Sequence, residues 1–122
     1  MNNGDSAAKG TKINIPFDFV DETFQPYNFQ PPGDNEYIYV YHRLIEPILK
    51  RFDPEVILIS SGFDAANGDP LGGFTITPNG YYYLTKKILE LKKPTLVALE
   101  GGYNLDSIKN SAYAIIKALL HE

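Results

Sequence analysis

Between residues 37 and 52, Tyr37, Ile38, Tyr41, Leu44, Ile45, Ile48, Leu49 and Phe52 recur every three or four positions, which predicts one apolar helix face. Asp34 stands before them as an N-cap, with Glu36 in the first turn where the helix dipole favours negative charge. Pro47 lacks an amide hydrogen and crowds the preceding turn, so a kink or irregularity is expected there, and Asp53-Pro54 ends the helix. The pattern then changes to continuous apolar runs of strand length at 56–60 and 95–99. Between them, Thr77-Pro78 supplies a capping hydroxyl and a proline at the first helical position, predicting a helix to about Leu91. Asn104 can cap a final helix whose Leu105, Ile108, Ala112, Ile115, Ile116, Leu119 and Leu120 share a face. Near the start, Ile13, Ile15 and Phe17 alternate and predict a brief strand over 12–17. Strand and helix thus alternate three times, the order that builds a parallel sheet covered by helices.

Residues 1–11 are polar and small and read as a flexible N-terminus, whereas 18–33 mixes Pro26, Pro31 and Pro32 with Phe19, Phe24, Tyr27 and Phe29. That is a long loop with large side chains to pack, and loops of such length in a compact domain usually carry function or are disordered. At 122 residues the chain suffices for one domain with one core. Its net charge of −4, without a dense run of Lys and Arg, argues against direct nucleic-acid binding. The absence of cysteine excludes disulfides, thiolate metal sites and cysteine nucleophiles. No apolar run approaches the roughly 20 residues of a membrane span, and the first dozen residues lack the apolar core of a secretory signal, so a soluble intracellular chain is expected.

Both strand runs end in glycine and then deliver a functional side chain: Ser61-Gly62-Phe63-Asp64 after the first, Glu100-Gly101-Gly102-Tyr103 after the second. Open α/β sheets bind ligands at the carboxyl ends of their strands, so one acid and one phenol presented there are candidate site residues. Asp64 could equally cap a turn, and Tyr103 could be a tyrosine whose hydroxyl finds a backbone partner. A second tight turn, Asp69-Pro70-Leu71-Gly72-Gly73, makes the first loop elaborate, which favours function. Tyr81, Tyr82 and Tyr83 are consecutive on a helix and face different directions, which reads as packing and surface. His42 and His121 each lack a second ligand at metal spacing and read as structural or solvent-exposed.

Together, 60–65 (Ser-Ser-Gly-Phe-Asp-Ala), 69–73 (Asp-Pro-Leu-Gly-Gly) and 99–105 (Leu-Glu-Gly-Gly-Tyr-Asn-Leu) resemble the zinc-dependent histone deacetylase family, especially its class II branch. The resemblance extends upstream through 33–37 and, more loosely, 12–16. It implies that residues 1–122 form the C-terminal part of a three-layer α/β/α catalytic domain with a mainly parallel sheet, an arginase/deacetylase-like fold. It further implies a zinc ligand at Asp64, a phenol at Tyr103 that hydrogen-bonds the acetyl-lysine carbonyl and the oxyanion formed from it, and a tunnel wall at Leu71. Gly101 and Gly102 would lie against the substrate. In such a site the metal acidifies a water and polarises the amide carbonyl.

The family draws two more zinc ligands from an Asp-X-His motif and its general base from a His-His pair, and this sequence has neither. Zinc is therefore not expected to be held by this chain alone, and the isolated chain is expected to be inactive. The resemblance implies acetylated lysine of a histone or another protein as substrate of the complete enzyme, in the nucleus or cytoplasm. A non-catalytic interaction module that self-associates through an exposed sheet edge is the alternative. A nucleotide-binding flavodoxin-like domain is a third reading, which neither glycine turn supports with a phosphate-binding fingerprint.

Overall fold

The computed structural model describes residues 10–17 and 30–121. A bent first helix, made of α1 (Asp34–Val40), a π turn (Tyr41–Ile45) and α2 (Glu46–Phe52), is followed by β1 (Ile57–Ser61), α3 (Pro78–Leu89), β2 (Thr95–Leu99) and α4 (Leu105–Leu119). The widened turn lies immediately before Pro47, where the missing N–H and the ring prevent an ordinary α-helical bond, so the expected irregularity takes the form of a π segment. The helix stops at Asp53, which adopts a left-handed conformation (φ 51°) and donates its N–H to the Leu49 carbonyl at 2.9 Å.

The N-cap of α1 is Gly33 and not Asp34. Glu36 accepts the Gly33 N–H at 2.8 Å, which frees the Asp34 carboxylate to reach a different helix. Its oxygens accept the Thr77 N–H at 2.7 Å and the Thr77 hydroxyl at 2.6 Å. Thr77 in turn caps α3 by accepting the Gly80 N–H at 3.2 Å, so one carboxylate locks the starts of α1 and α3 together. The Tyr41 hydroxyl donates to the Lys87 carbonyl at 2.9 Å and ties the π turn to the other end of α3. Burial, helped by the charges of Glu46 and Glu90, pushes that phenol up to about 12.

The strand expected over 12–17 does not form: these residues are irregular, and no ladder among the described residues includes them. Alternation alone cannot make a strand without a paired neighbour to take its backbone bonds. Phe17 instead stacks on Tyr37 with ring centroids 4.9 Å apart and meets Phe74 edge-on at 6.1 Å. Residues 1–9, and 18–29 of the long loop, lie outside the described residues.

β1 and β2 run parallel in register, Ile57 beside Thr95 through Ser61 beside Leu99, with α3 as the crossover. This is the expected mixed α/β arrangement of a small parallel sheet with helices. Alternate residues serve different faces. Val97 packs against the core of Phe63, Ala66, Ile76, Tyr81 and Ile115, to which α4 also contributes Ile108, Ala112 and Leu119. The opposite face carries Leu58 beside Leu96, 71% and 56% exposed. Although both runs are continuously apolar, this face is exposed because the described residues provide no second cover for it. Among the described residues no helix is long and apolar enough to cross a membrane.

Candidate functional site

Beyond β1 the chain turns sharply at Gly62 and enters a loop held by its own backbone. The Phe63 N–H donates to the Gly101 carbonyl at 2.7 Å, and the Glu100 N–H donates to the Ser61 carbonyl at 3.1 Å, so the two strand-end turns are stitched to each other. Phe63 is the hinge pin, 2% exposed and edge-to-face with Tyr81 at 5.2 Å. Asp64, the next residue along the turn, is half-buried.

Asp64 is enclosed by glycines. A Cβ on Gly62 would stand 2.7 Å from its Oδ1, one on Gly101 2.9 Å from its Oδ2, and one on Gly72 only 1.6 Å from its backbone oxygen. Gly72 is therefore required by a backbone contact and Gly101 by the carboxylate. Gly102 has φ +141°, and a Cβ there would press on Phe63 and Ile108 at 3.0 and 2.9 Å. The carboxylate itself makes no hydrogen bond or ion pair within the described residues. It lies on the wall of a cavity of about 360 Å³ shared with Tyr37 and Tyr81. Burial first, then the charge of Asp64 for Tyr37 and those of Tyr37 and Asp64 for Tyr81, hold both phenols above their ordinary value, so they remain protonated donors at neutral pH. The Tyr81 hydroxyl donates to the Gly62 carbonyl at 3.1 Å and fixes the turn that aims Asp64.

Leu71 and Tyr103 do not line that cavity. Both are on the outer surface, 70% and 59% exposed, and the Tyr103 hydroxyl makes no hydrogen bond to described residues. They are brought together through Asp69, whose Oδ1 accepts the Leu71 N–H at 2.9 Å and whose Oδ2 accepts the Tyr103 N–H at 2.7 Å. The aspartate of an Asp-Pro-Leu-Gly turn is legible in sequence as a turn former. Its bond to a residue 34 positions away left no signal in the sequence.

Catalytic zinc takes three protein ligands and an open position. Among the described residues no three His, Cys, Asp or Glu side chains converge. His42 is bonded to Glu46 at 2.7 Å and to Tyr83 at 3.0 Å, and His121 is exposed beyond α4. Asp64 offers one donor, so these residues by themselves do not fit a zinc site.

The family profile for the histone deacetylase domain matches residues 1–119. The chain is 41% identical over 120 residues to Histone deacetylase HDA1 of Candida albicans, covering 98% of this chain and 13% of that protein. It is 40% identical over 120 residues to Histone deacetylase 18 of Arabidopsis thaliana, covering 98% and 16%. Among solved structures, the histone deacetylase Clr3 superposes with a TM-score of 0.73 at 41% identity over 79% of this chain and 16% of that one. The HDA15 HD domain gives 0.73 at 49% identity over 75% and 27%. The chain therefore spans well under a third of each of these relatives.

Proposed function

The chain belongs to the histone deacetylase family, and we propose that residues 1–122 are the C-terminal part of a class II-like catalytic domain that hydrolyses the acetyl-lysine amide of a histone or other protein in the nucleus or cytoplasm. In this reading Asp64 is one ligand of a catalytic zinc, Tyr103 donates its phenol hydrogen to the substrate carbonyl and to the oxyanion, and Leu71 walls the acyl-lysine tunnel. Gly101 and Gly102 let the backbone approach both Asp64 and the substrate. The observation that carries it is the Asp64 carboxylate, unpartnered among the described residues and packed against Gly101, two residues from Tyr103. Residues outside this chain must complete the ligand set and supply the general base.

Grafting the chain in place of the matching segment of the HDA15 HD domain tests this. The graft is expected to bind one zinc and to hydrolyse an acetyl-lysine peptide, while the isolated chain does neither. A graft that folds and binds zinc but leaves the peptide intact would remove the proposal. Stoichiometric zinc with hydrolysis in the isolated chain would remove its incompleteness.

The exposed pair Leu58 and Leu96, with no further strand paired to either edge of the sheet among the described residues, favours a second reading, an interaction module that self-associates. The mass measured by light scattering is then expected to rise with concentration, and the rise to vanish in Leu58→Thr/Leu96→Thr. A strictly monomeric native chain that unfolds cooperatively dismisses this reading.

A further inference from the structure

We propose that Asp69 is a positioning residue that sets Tyr103 and the Leu71 turn relative to each other through its two carboxylate oxygens. The inference rests on the reading of Tyr103 and Leu71 given above. Oδ1 closes the turn on its own side by accepting the N–H groups of Leu71 at 2.9 Å and Gly72 at 3.1 Å. Oδ2 reaches across to the N–H of Tyr103 at 2.7 Å. Hydrogen bonds to an ionised acceptor are roughly twice as strong as neutral ones, and the crossing bond is the shortest of the three.

The crossing bond matters because of what precedes Tyr103. Gly101 and Gly102 have no Cβ to restrict them, and Gly102 occupies φ +141°, so the pair alone does not determine where the next residue points. Holding the Tyr103 amide restrains its Cα and hence the direction of a ring that is 59% exposed. Neighbouring bonds anchor the same loops elsewhere: Asn104 Nδ2 donates to the Gly68 carbonyl at 2.9 Å, and the Ser107 hydroxyl donates to the Asn67 carbonyl at 2.8 Å. These hold the start of α4 against 67–68, whereas Asp69 acts on Tyr103 itself. Desolvation would raise the Asp69 carboxyl, but the amides of Leu71, Tyr103, Gly72 and Asn104 outweigh it and hold it below the usual range. It is thus ionised at neutral pH, as a double acceptor must be.

Asp69→Asn separates this role from simple turn closure. Asparagine has one acceptor oxygen and forms such turns well, so it keeps Leu71 and Gly72 and turns an NH₂ toward the Tyr103 N–H, where two donors oppose each other. In the native chain the Tyr103 amide is expected to be protected from hydrogen exchange and shifted downfield in the proton spectrum. In Asp69→Asn it should exchange roughly tenfold to a hundredfold faster while Leu71 and Gly72 stay protected. An unprotected Tyr103 amide in the native chain overturns the proposal even if the variant fails to fold, and so does unchanged Tyr103 exchange in a folded variant. In the graft, Asp69→Asn is expected to lower kcat by about tenfold to a hundredfold with little change in KM, as misplacement of a reacting group does. A raised KM at unchanged kcat overturns it as well. The exchange measurements involve neither zinc nor turnover, so a dead graft with a protected Tyr103 amide would refute the deacetylase reading and leave the positioning intact.

Discussion

Replacing Phe63 with alanine is expected to destabilise the chain by about 3–5 kcal/mol, the range for a buried phenylalanine. The ring is 2% exposed, meets Tyr81 edge-on and belongs to the core with Ala66, Ile76 and Ile115. A domain of this size is held by about 5–15 kcal/mol, so the loss is a large share of the total. The effect should reach the site too, because Phe63 lies between Gly62 and Asp64 and its N–H is bonded to Gly101. Urea unfolding reads the loss as a lower midpoint at unchanged slope, and the Asp64 and Gly101 resonances should broaden or move. A loss below about 1 kcal/mol, the scale of ordinary surface changes, would show that the ring does not anchor the turns.

Tyr103→Phe is expected to do the reverse, sparing the fold and removing activity. The ring is largely exposed and its hydroxyl bonds to no described residue, so stability should change by no more than about 0.5 kcal/mol. In the graft, loss of one donor to the oxyanion should lower kcat by about 10²–10³-fold with zinc content and KM nearly unchanged. Turnover within a few-fold of the parent would show that the phenol is not the oxyanion donor.

Local chemistry was legible wherever a residue and its neighbours decide the conformation. Thr77-Pro78 and Asn104 cap the helices assigned to them, Pro47 disturbs its helix, and the run 95–99 is β2. Misreadings occurred where a distant residue decides. Asp34 gave up its helix cap for Thr77, 43 positions away, and 12–17 found aromatic neighbours in place of a strand partner.

The sequence by itself determined the family, the order of the elements from residue 34 onward and which side chains follow each strand, because these depend on residue identity and short-range spacing. Only the tertiary structure decided that glycines enclose Asp64, that two protonated phenols flank its cavity, that one face of the sheet is left uncovered by the described residues and that Asp69 joins the loops of Leu71 and Tyr103. Gly101 against Asp64, Tyr37 and Tyr81 beside it, and Asp69 against Tyr103 are contacts between segments apart in the chain. Such contacts arise from packing, and neither propensity nor periodicity encodes their partners.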